Sequence, residues 1–416
     1  MRRGMPHEGD KHGSGGGVSM RVEVLARQQK LAMTGNDAAA YAAKQAKVDV
    51  ISAYPITPQT FVVETLSRWV YDGELDAKFI NVESEHSALS AVIGASLAGA
   101  RTFTATSSQG LAYMWEALYA ASGLRLPIVM ALAARALSAP INIHNDHSDF
   151  FGMRDAGWIM FNGEEAQETY DLTLMAFKIA EDSRVLLPVV VSYDGFIVSH
   201  AISNFYALGD EDAIRFLGKR TTGPKIDPDN PRTIGVLALQ DSYFEFKRQQ
   251  YEAMESARQV IKEVFEKYYE LSGRRYTPLK EYMTEEADTC IVVMGSTVGT
   301  ARHAVKMLRE EGEKVGVVGV LQYRPWPRED AERLFSKFRR IIVMEKVMSP
   351  GARGGPVYED IASTLYPNHG VKMVDFVYGL GGRDISTSGI IEVYRKGEEL
   401  IDKGETERVY FYGVRE

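Results

Sequence analysis

Two polar segments, each directly after a short apolar run, constrain this chain more than any other feature. Residues 48–53 are rich in β-branched side chains, which favours a buried strand, and a proline-flanked turn at residues 54–58 (YPITP) follows. Residues 79–82 predict the next strand, after which Ser84 is expected to cap a helix and residues 83–88 (ESEHSA) place an acid at its start. In a parallel sheet both segments lie at the carboxyl ends of strands, where ligands bind. A threonine hydroxyl and a carboxylate at that edge suggest a small-molecule site.

Strands and helices alternate over residues 35–135. The pattern predicts helices at residues 38–46, 59–71, 85–98 and 111–122, and strands at residues 48–53, 79–82, 102–106 and 127–133. Strands that alternate with helices form a parallel sheet covered on both faces. The predicted fold class is therefore α/β.

A less regular middle region separates this pattern from a second one. Residues 135–157 form a long polar stretch without periodicity, which is typical of a functional or disordered loop. Residues 206–232 are expected to be a connector, and residues 240–272 predict a long charged helix. Strands of a second α/β unit are predicted at residues 290–294, 315–321, 340–344 and 372–377.

The chain of 416 residues is long enough for two domains. We place a disordered N-terminal extension at residues 1–19 and the first α/β domain at residues 20–240. A helical interdomain arm is expected at residues 241–285 and the second α/β domain at residues 286–416.

Composition excludes several classes of protein. The formal net charge of −8 argues against a nucleic-acid partner, because no basic excess is available to neutralise phosphates. A single cysteine, Cys290, forms neither an intramolecular disulfide nor an iron–sulfur cluster, and its apolar neighbours predict a buried thiol. No run of about 18 apolar residues predicts a membrane helix, and residues 1–19 lack the apolar stretch of a signal peptide. A cytoplasmic protein is expected.

Known phosphate-binding and metal-binding motifs are missing as well. No GxGxxG follows a strand, no P-loop exists, and the glycine-rich run at residues 379–382 lacks a nucleotide-binding fingerprint. The Gly-Asp-Gly and Asn-Asn pattern that holds magnesium and a diphosphate in thiamine enzymes is also missing. A complete diphosphate site within this chain alone is not expected.

Two further clusters have ambiguous chemistry. His144, Asp146, His147 and Asp149 resemble metal ligands by composition, but they lie in a loop without a ligand-spacing framework, so solvated or hydrogen-bonded loop groups are the better interpretation. No metal site is predicted. Residues 107–110 (SSQG) form a strand-to-helix turn without the GxSxG elbow, which favours lining a site over a nucleophile.

Several motifs, in this order, resemble one protein family. They are residues 54–58 (YPITP), 82–88 (VESEHSA), 104–111 (TATSSQGL), 135–140 (RALSAP), 145–147 (NDH), 324–325 (RP) and 379–384 (GLGGRD). The set resembles the alpha subunits of pyruvate:ferredoxin oxidoreductases, within the wider family of 2-oxoacid:ferredoxin oxidoreductases. The resemblance covers residues 33–390.

The resemblance implies two transketolase-type domains. The first would be a thiamine diphosphate pyrimidine-binding domain at residues 20–240, and the second a transketolase C-terminal-like domain at residues 286–416. In this family a beta subunit carries the diphosphate–magnesium half of the cofactor site and a [4Fe–4S] cluster. A ferredoxin-like delta subunit carries two more clusters, and a gamma subunit completes the heterotetramer.

The resemblance also assigns roles to four residues. Glu85 falls on the catalytic acid of the family, whose carboxylate favours the imino tautomer of the aminopyrimidine so that this group removes the thiazolium C2 proton. Pro55 is expected to contact the cofactor. Thr57 and Arg135 fall on substrate contacts: a hydroxyl donor, and a charge-assisted partner for the substrate carboxylate. Threonine at position 57 indicates an uncharged substrate tail.

The implied reaction converts pyruvate and coenzyme A to acetyl-CoA and CO2, reversibly, with electrons passing to ferredoxin. Other 2-oxoacids, such as 2-oxoisovalerate, an aryl 2-oxoacid or 2-oxoglutarate, would fit the same fold. A non-catalytic scaffold and a self-sufficient thiamine enzyme are the remaining alternatives. The joint presence of Glu85, Thr57 and Arg135 argues against the scaffold, and the missing diphosphate motif argues against self-sufficiency.

Overall fold

The chain folds around two large sheets, described by a computed structural model for residues 27–367 and 370–415. The expected extension at residues 1–19 lies outside the described residues. The strands are β1 (Gln29–Met33), β2 (Val50–Ser52), β3 (Lys78–Ile80), β4 (Thr102–Thr106), β5 (Ile128–Ala134), β6 (Ile159–Gly163), β7 (Val189–Asp194), β8 (Ser203–Ala207), β9 (Leu279–Tyr282), β10 (Thr289–Val293), β11 (Val315–Val320), β12 (Gln322–Arg324), β13 (Arg340–Glu345), β14 (Lys372–Val377) and β15 (Val409–Phe411).

Helices connect most of these strands. They are α1 (Gly35–Gln45), α2 (Thr60–Tyr71), α3 (Glu85–Leu97), α4 (Ser108–Tyr113), α5 (Trp115–Gly123), α6 (Ser148–Gly152), α7 (Ala166–Ala180), α8 (Asp210–Leu217), α9 (Tyr243–Ser272), α10 (Thr297–Glu310), α11 (Arg328–Phe335), α12 (Pro356–Leu365) and α13 (Thr387–Lys403). The predicted α/β class is confirmed.

The first sheet has seven strands in the order β12-β6-β7-β5-β4-β2-β3. Its strands run parallel except β12, which pairs antiparallel with β6 although it lies far along the chain. A small antiparallel pair, β1 and β8, lies beside it. Because β12 comes from the second half of the chain, the two halves share this sheet.

The second sheet has six strands in the order β15-β14-β13-β10-β11-β9, parallel except at the edge strand β9. One apolar core joins the two sheets: it combines Met130 of the first sheet and Leu89 of α3 with Val292 and Ile341 of the second sheet. Cys290 is fully buried in the same core, as predicted.

One region differs from its predicted structure, and the long helix predicted at residues 240–272 is confirmed as α9 (Tyr243–Ser272). The connector at residues 206–232 contains α8, whose Ala213 and Phe216 are buried in the core of the first sheet. The expected interdomain arm contains α9, which buries a stripe including Val260 and Phe265 against that same core. The domain boundaries at residues 240 and 285 stay a prediction.

The polar stretch at residues 135–157 is exposed or half-buried over residues 137–144 but mostly buried over residues 145–151. It contains α6, and Asn145, Asp146, His147 and Asp149 within it are all at most 6% exposed. These polar groups are enclosed between the two sheets, so they need partners. Within the described ranges, no helix is long and apolar enough to cross a membrane.

Candidate active site

The first sheet has a topological switch point between β2 and β4. From β2 the chain passes to β3 on one side and returns to β4 on the other, so the connections leave this point in opposite directions. A crevice outside the carboxyl ends of strands forms at such a point. The turn at residues 54–58, Glu85, Ser107 and Arg135 all follow strand ends at this edge.

Glu85 is the first residue of α3 at this edge. Ser84 caps the helix as predicted, since its side chain accepts a hydrogen bond from the Ser87 N–H. The Glu85 side chain is buried, at 8% exposure, yet it forms no hydrogen bond or ion pair with another described residue. A buried carboxylate without a partner costs free energy unless a ligand completes its hydrogen bonding.

A second unpaired group lies beside Glu85. The Thr106 hydroxyl at the end of β4 is buried and has no hydrogen-bond partner in the described part of the chain. A Cβ added to Gly110 of α4 would lie 2.5 Å from Thr106 Oγ1 and 2.7 Å from Glu85 Oε1. Glycine at position 110 therefore allows α4 to approach both groups closely, and Thr106 and Gly110 extend the predicted site.

Arg135 and Thr57 contact each other across the crevice. The Arg135 guanidinium donates from Nη1 to the Thr57 carbonyl at 2.8 Å and from Nε to the Asn142 carbonyl at 2.9 Å. Neither bond uses Nη2, and Thr57 and Pro55 are exposed. Burial lowers the pKa of Arg135 from its ordinary value, but a guanidinium stays protonated at neutral pH. Nη2 and the Thr57 hydroxyl thus remain for a ligand.

Asp149 joins the ends of β4 and β5. Its Oδ2 accepts from the Ser108 and Arg135 N–H groups at 2.8 and 3.0 Å, and its Oδ1 accepts from the Phe150 N–H at 2.7 Å. Burial raises the pKa of Asp149 to about 8, although the three N–H groups oppose the shift. This carboxyl fixes the backbone from which the Arg135 side chain extends.

The two serine hydroxyls of the turn at residues 107–110 are engaged in hydrogen bonds to neighbouring backbone carbonyls. Ser107 Oγ donates to the Ala133 carbonyl at 2.7 Å and Ser108 Oγ to the Ala136 carbonyl at 2.5 Å. Ser108 has φ of 47°, a left-handed conformation at the strand-to-helix turn. Both hydroxyls tie neighbouring strand ends together, and neither contacts a histidine.

The four metal-like side chains do not converge. His147 bonds Asp194 Oδ1 through Nε2 at 2.8 Å, whereas Asp146 accepts from the Ser148 N–H and hydroxyl. No set of three His, Cys, Asp or Glu side chains suited to a metal ion occurs at residues 27–367 and 370–415. Hydrogen-bonded loop groups, the favoured interpretation of this cluster, describe what is observed.

The glycine-rich run at residues 379–382 packs against the same loop. The Gly382 N–H donates to the Asn145 carbonyl at 2.7 Å, and the Gly381 carbonyl accepts from Asn142 Nδ2 at 3.1 Å. Gly379, Gly381 and Gly382 all have φ between 63° and 80°, where glycine is strongly preferred. The run is therefore an interdomain contact.

Family comparisons agree with this arrangement. Residues 41–266 match the pyruvate flavodoxin/ferredoxin oxidoreductase thiamine diphosphate-binding family, and residues 287–390 match core domain II of pyruvate:ferredoxin oxidoreductase. Pyruvate synthase subunit PorA of Pyrococcus horikoshii is 47% identical over 387 residues, which cover 92% of this chain and 98% of that protein. Ketoisovalerate oxidoreductase subunit VorA of Pyrococcus abyssi is 40% identical, covering 91% and 96%.

Solved structures share the fold. A 2-oxoglutarate:ferredoxin oxidoreductase from Magnetococcus marinus aligns with a TM-score of 0.71 at 22% identity, over 89% of this chain and 65% of that one. A split-gene transketolase aligns with a TM-score of 0.52 at 14% identity, over 88% and 99%. The predicted transketolase-type fold is confirmed, and so is the predicted family. The chain belongs to the pyruvate flavodoxin/ferredoxin oxidoreductase family.

Proposed function

We propose that this chain is the subunit of a pyruvate:ferredoxin oxidoreductase that activates thiamine diphosphate and binds the 2-oxoacid. The observation that carries the proposal is the buried, unpartnered Glu85 carboxylate at the switch point of the first sheet. It lies within the region that matches the thiamine diphosphate-binding family. An acid left unpaired at a ligand-binding edge fits an enzyme better than a scaffold.

The residues around Glu85 fit the aminopyrimidine ring of the cofactor. Glu85 supplies a carboxylate acceptor and Thr106 a buried hydroxyl, both without partners among the described residues. Pro55 is exposed at the neighbouring strand end, where it would contact the ring. Since no metal-ligand set is found in the described ranges, a beta subunit would supply the diphosphate and magnesium contacts.

Bound there, thiamine diphosphate supplies a carbon nucleophile and an electron sink for decarboxylation. Glu85 would accept a hydrogen bond from the far ring nitrogen of the aminopyrimidine and so would favour its imino tautomer. Glu85 is the first residue of α3, where the positive end of the helix dipole lies and an acidic side chain is stabilising. Gly110 lets α4 pack closely against the Glu85 side chain and so helps to fix its position.

Arg135 and Thr57 would orient the 2-oxoacid. Two of the Arg135 nitrogens are already engaged, so Nη2 is the atom that pairs with the substrate carboxylate. The exposed Thr57 hydroxyl donates to the substrate beside it. Because Arg135 is only 5% exposed, its charge is weakly screened and acts strongly on an anion that enters the crevice.

Electrons must leave through partner chains. The single cysteine, Cys290, is buried in the second sheet and cannot hold a cluster. Beta and delta subunits would carry the [4Fe–4S] clusters, a gamma subunit would complete the complex, and ferredoxin would accept the electrons one at a time. Coenzyme A would take the acetyl group.

A branched 2-oxoacid is the alternative substrate, because a ketoisovalerate oxidoreductase subunit is 40% identical to this chain. Both substrates share the 2-oxoacid group that Arg135 and Thr57 would contact. They differ in the size of the tail, so the walls of the crevice decide between them.

A substrate panel tests the proposal. The chain is co-expressed with its beta, gamma and delta partners, and reduction of ferredoxin or a viologen dye is followed with thiamine diphosphate and coenzyme A present. The substrates are pyruvate, 2-oxoisovalerate, 2-oxoglutarate and oxalate. We expect the largest kcat/KM with pyruvate.

The other outcomes are distinct. A larger kcat/KM with 2-oxoisovalerate would replace pyruvate but keep the role of Glu85. No activity with any acid, in a complex shown to contain clusters and cofactor, would favour a scaffold. Tight thiamine diphosphate binding by the purified chain alone would contradict the need for a beta subunit.

A further inference from the structure

The glycine-rich run at residues 379–382 belongs to the second sheet, yet its contacts lead to Arg135 on the first. Asn142 connects the two. Its carbonyl accepts from Arg135 Nε at 2.9 Å, and its side-chain Nδ2 donates to the Gly381 carbonyl at 3.1 Å. One residue thus joins the substrate-facing guanidinium to the second α/β unit.

The Asn142 side chain also fixes its own backbone. Its Oδ1 accepts from the His144 N–H at 2.7 Å, which closes a turn within the loop. Because Oδ1 and Nδ2 of the side-chain amide are both hydrogen-bonded, the backbone carbonyl of Asn142, which accepts from Arg135, has one preferred orientation. A side chain that orders a backbone acceptor lowers the entropy cost of holding the guanidinium in place.

Close packing reinforces this link from the second unit. A Cβ on Gly381 would lie 2.3 Å from Asn142 Nδ2, and a Cβ on Gly382 would lie 2.4 Å from His144 Cβ. Both glycines also have positive φ, of 63° and 80°. The backbone of the second unit therefore packs so closely against the loop that a side chain at position 381 would displace the Asn142 side chain.

We propose that Asn142 and the turn at residues 379–382 are positioning elements that orient the Arg135 guanidinium toward the substrate carboxylate. The second unit would then set the affinity for the 2-oxoacid without touching it. This inference rests on the proposed function, because it assigns the substrate carboxylate to Arg135. It explains why a glycine-rich turn without a nucleotide fingerprint occupies the carboxyl end of β14.

The first test is Asn142→Ala in the complete complex. We expect the KM for pyruvate to rise about tenfold, because the residue 142 carbonyl that accepts from Arg135 remains but loses the two side-chain hydrogen bonds that orient it, with kcat and the KM for thiamine diphosphate within about twofold. The Kd of oxamate, a non-reacting analogue with the same carboxylate, should rise by the same factor. A purely structural role would instead lower the melting temperature and reduce thiamine diphosphate affinity in parallel.

The second test is Gly381→Ala, with Gly351→Ala as its matched control. Gly351 lies in the same unit with φ of 84°, but a Cβ there meets nothing within 4 Å, so it reports backbone strain alone. Gly381→Ala should raise the pyruvate KM as Asn142→Ala does, and Gly351→Ala should not.

The double variant tests whether the two substitutions act through the same contact or perturb the protein independently. In Asn142→Ala, the amide that the Gly381 Cβ would strike is gone, so adding Gly381→Ala should raise the pyruvate KM by less than twofold more, an estimate for coupled sites. Multiplicative effects of the two substitutions, or an unchanged oxamate Kd in Asn142→Ala, would overturn the inference. If the wild-type complex prefers another 2-oxoacid, pyruvate is wrong as the substrate. The same variants then test the role of Asn142 with the preferred acid.

Discussion

The two sheets of this chain have the same kind of crevice at the carboxyl ends of their strands, but the two crevices differ in what occupies them. Each sheet has a switch point, between β2 and β4 in the first and between β10 and β13 in the second. At the first, Glu85 and Thr106 are buried without partners in the described residues. At the second, the crevice is filled by the chain itself, through Asp194 and the loop around His147.

The filled crevice is held by a buried ionic network. Asp194 accepts from His147 Nε2 and Lys346 Nζ at 2.8 Å each, and from Ser296 Oγ at 2.5 Å. Burial opposes ionisation of Asp194, but Lys346 and His147 outweigh it, so the pKa of Asp194 lies well below its usual range. Polar groups with internal partners stabilise the fold, whereas polar groups left without them indicate a site. The first crevice is the one that we propose binds ligand, and the second joins the two units.

The largest expected effect comes from removing the charge at the open crevice. Glu85→Gln keeps the shape of the side chain but removes the carboxylate that favours the imino tautomer. We expect kcat with pyruvate to fall about a thousandfold, within the usual range for a lost acid–base group. The melting temperature should not fall, because Glu85 has no partner among the described residues to lose.

The control for Glu85→Gln is Glu83→Gln in the same loop. Glu83 is exposed, and its carboxylate accepts only from the Ser87 hydroxyl among the residues described. Its activity should stay near wild type. Equal losses in both variants would mean that the loop, rather than the Glu85 carboxylate, is responsible.

At the filled crevice, Asp194→Asn should act on stability first. The substitution leaves Lys346 buried beside a neutral amide, and an uncompensated buried charge costs about 3 kcal/mol or more. Thermal unfolding of the complex and of the isolated chain measures the loss. Asp402→Asn, which removes an exposed partner of Arg340, should change the melting temperature little. An unchanged melting temperature in Asp194→Asn would mean that the network does not hold the two units together.

A smaller effect is expected from a substitution that moves the Glu85 carboxylate without removing its charge. In Gly110→Ala, the new Cβ would lie 2.5 Å from Thr106 Oγ1 and 2.7 Å from Glu85 Oε1, so both side chains must move. We expect kcat to fall about tenfold to a hundredfold, less than in Glu85→Gln, because the carboxylate is displaced rather than removed. Gly94→Ala in α3, whose Cβ meets nothing within 4 Å, is the matched control. A wild-type kcat in Gly110→Ala would show that α4 does not determine the position of the Glu85 carboxylate.

Local patterns predicted the elements that depend on neighbouring residues. The strands at residues 102–106 and 372–377 were predicted to the residue, and Ser84 was predicted as the cap of α3. A hydroxyl before a helix and a short β-branched run act over a few residues, so a single sequence reveals them. The motif resemblance identified Glu85, Thr57 and Arg135, and the structure brings the last two into contact.

Contacts between distant segments were not predictable in the same way. Strand β6 was missed, since its short run, ending in Asn162 and Gly163, shows no alternation, and it pairs with β12 from the other unit. The roles of Asp149 and Asn142 depend on backbone groups brought near them only by the fold. Gly110 looked like part of a tight turn, and only the three-dimensional distance to Glu85 reveals its use.

A carboxyl pair inside the second unit gives the smallest expected effect. Burial and the neighbouring Asp375 raise the pKa of Glu345 well above its usual range, and burial raises the pKa of Asp375 to about 6. The Val357 N–H donates to Glu345 and the Gly355 N–H to Asp375, both at 2.7 Å. The folded pair therefore keeps a proton that the unfolded chain releases near pH 4.5.

The sign of the pH dependence follows from that proton. Above about pH 4.5 the folded state binds more protons than the unfolded state until the folded pair itself titrates, so this pair contributes stability that is lost as pH rises. Glu345→Gln replaces the protonated carboxyl with a neutral amide of similar shape and should remove that part of the loss. We expect the variant to gain about 1 kcal/mol over wild type for each pH unit over which the folded pair keeps its proton, measured as the difference of their melting curves. A difference that stays constant across this range would mean that Glu345 is ionised throughout, and that the second unit tolerates two buried charges side by side.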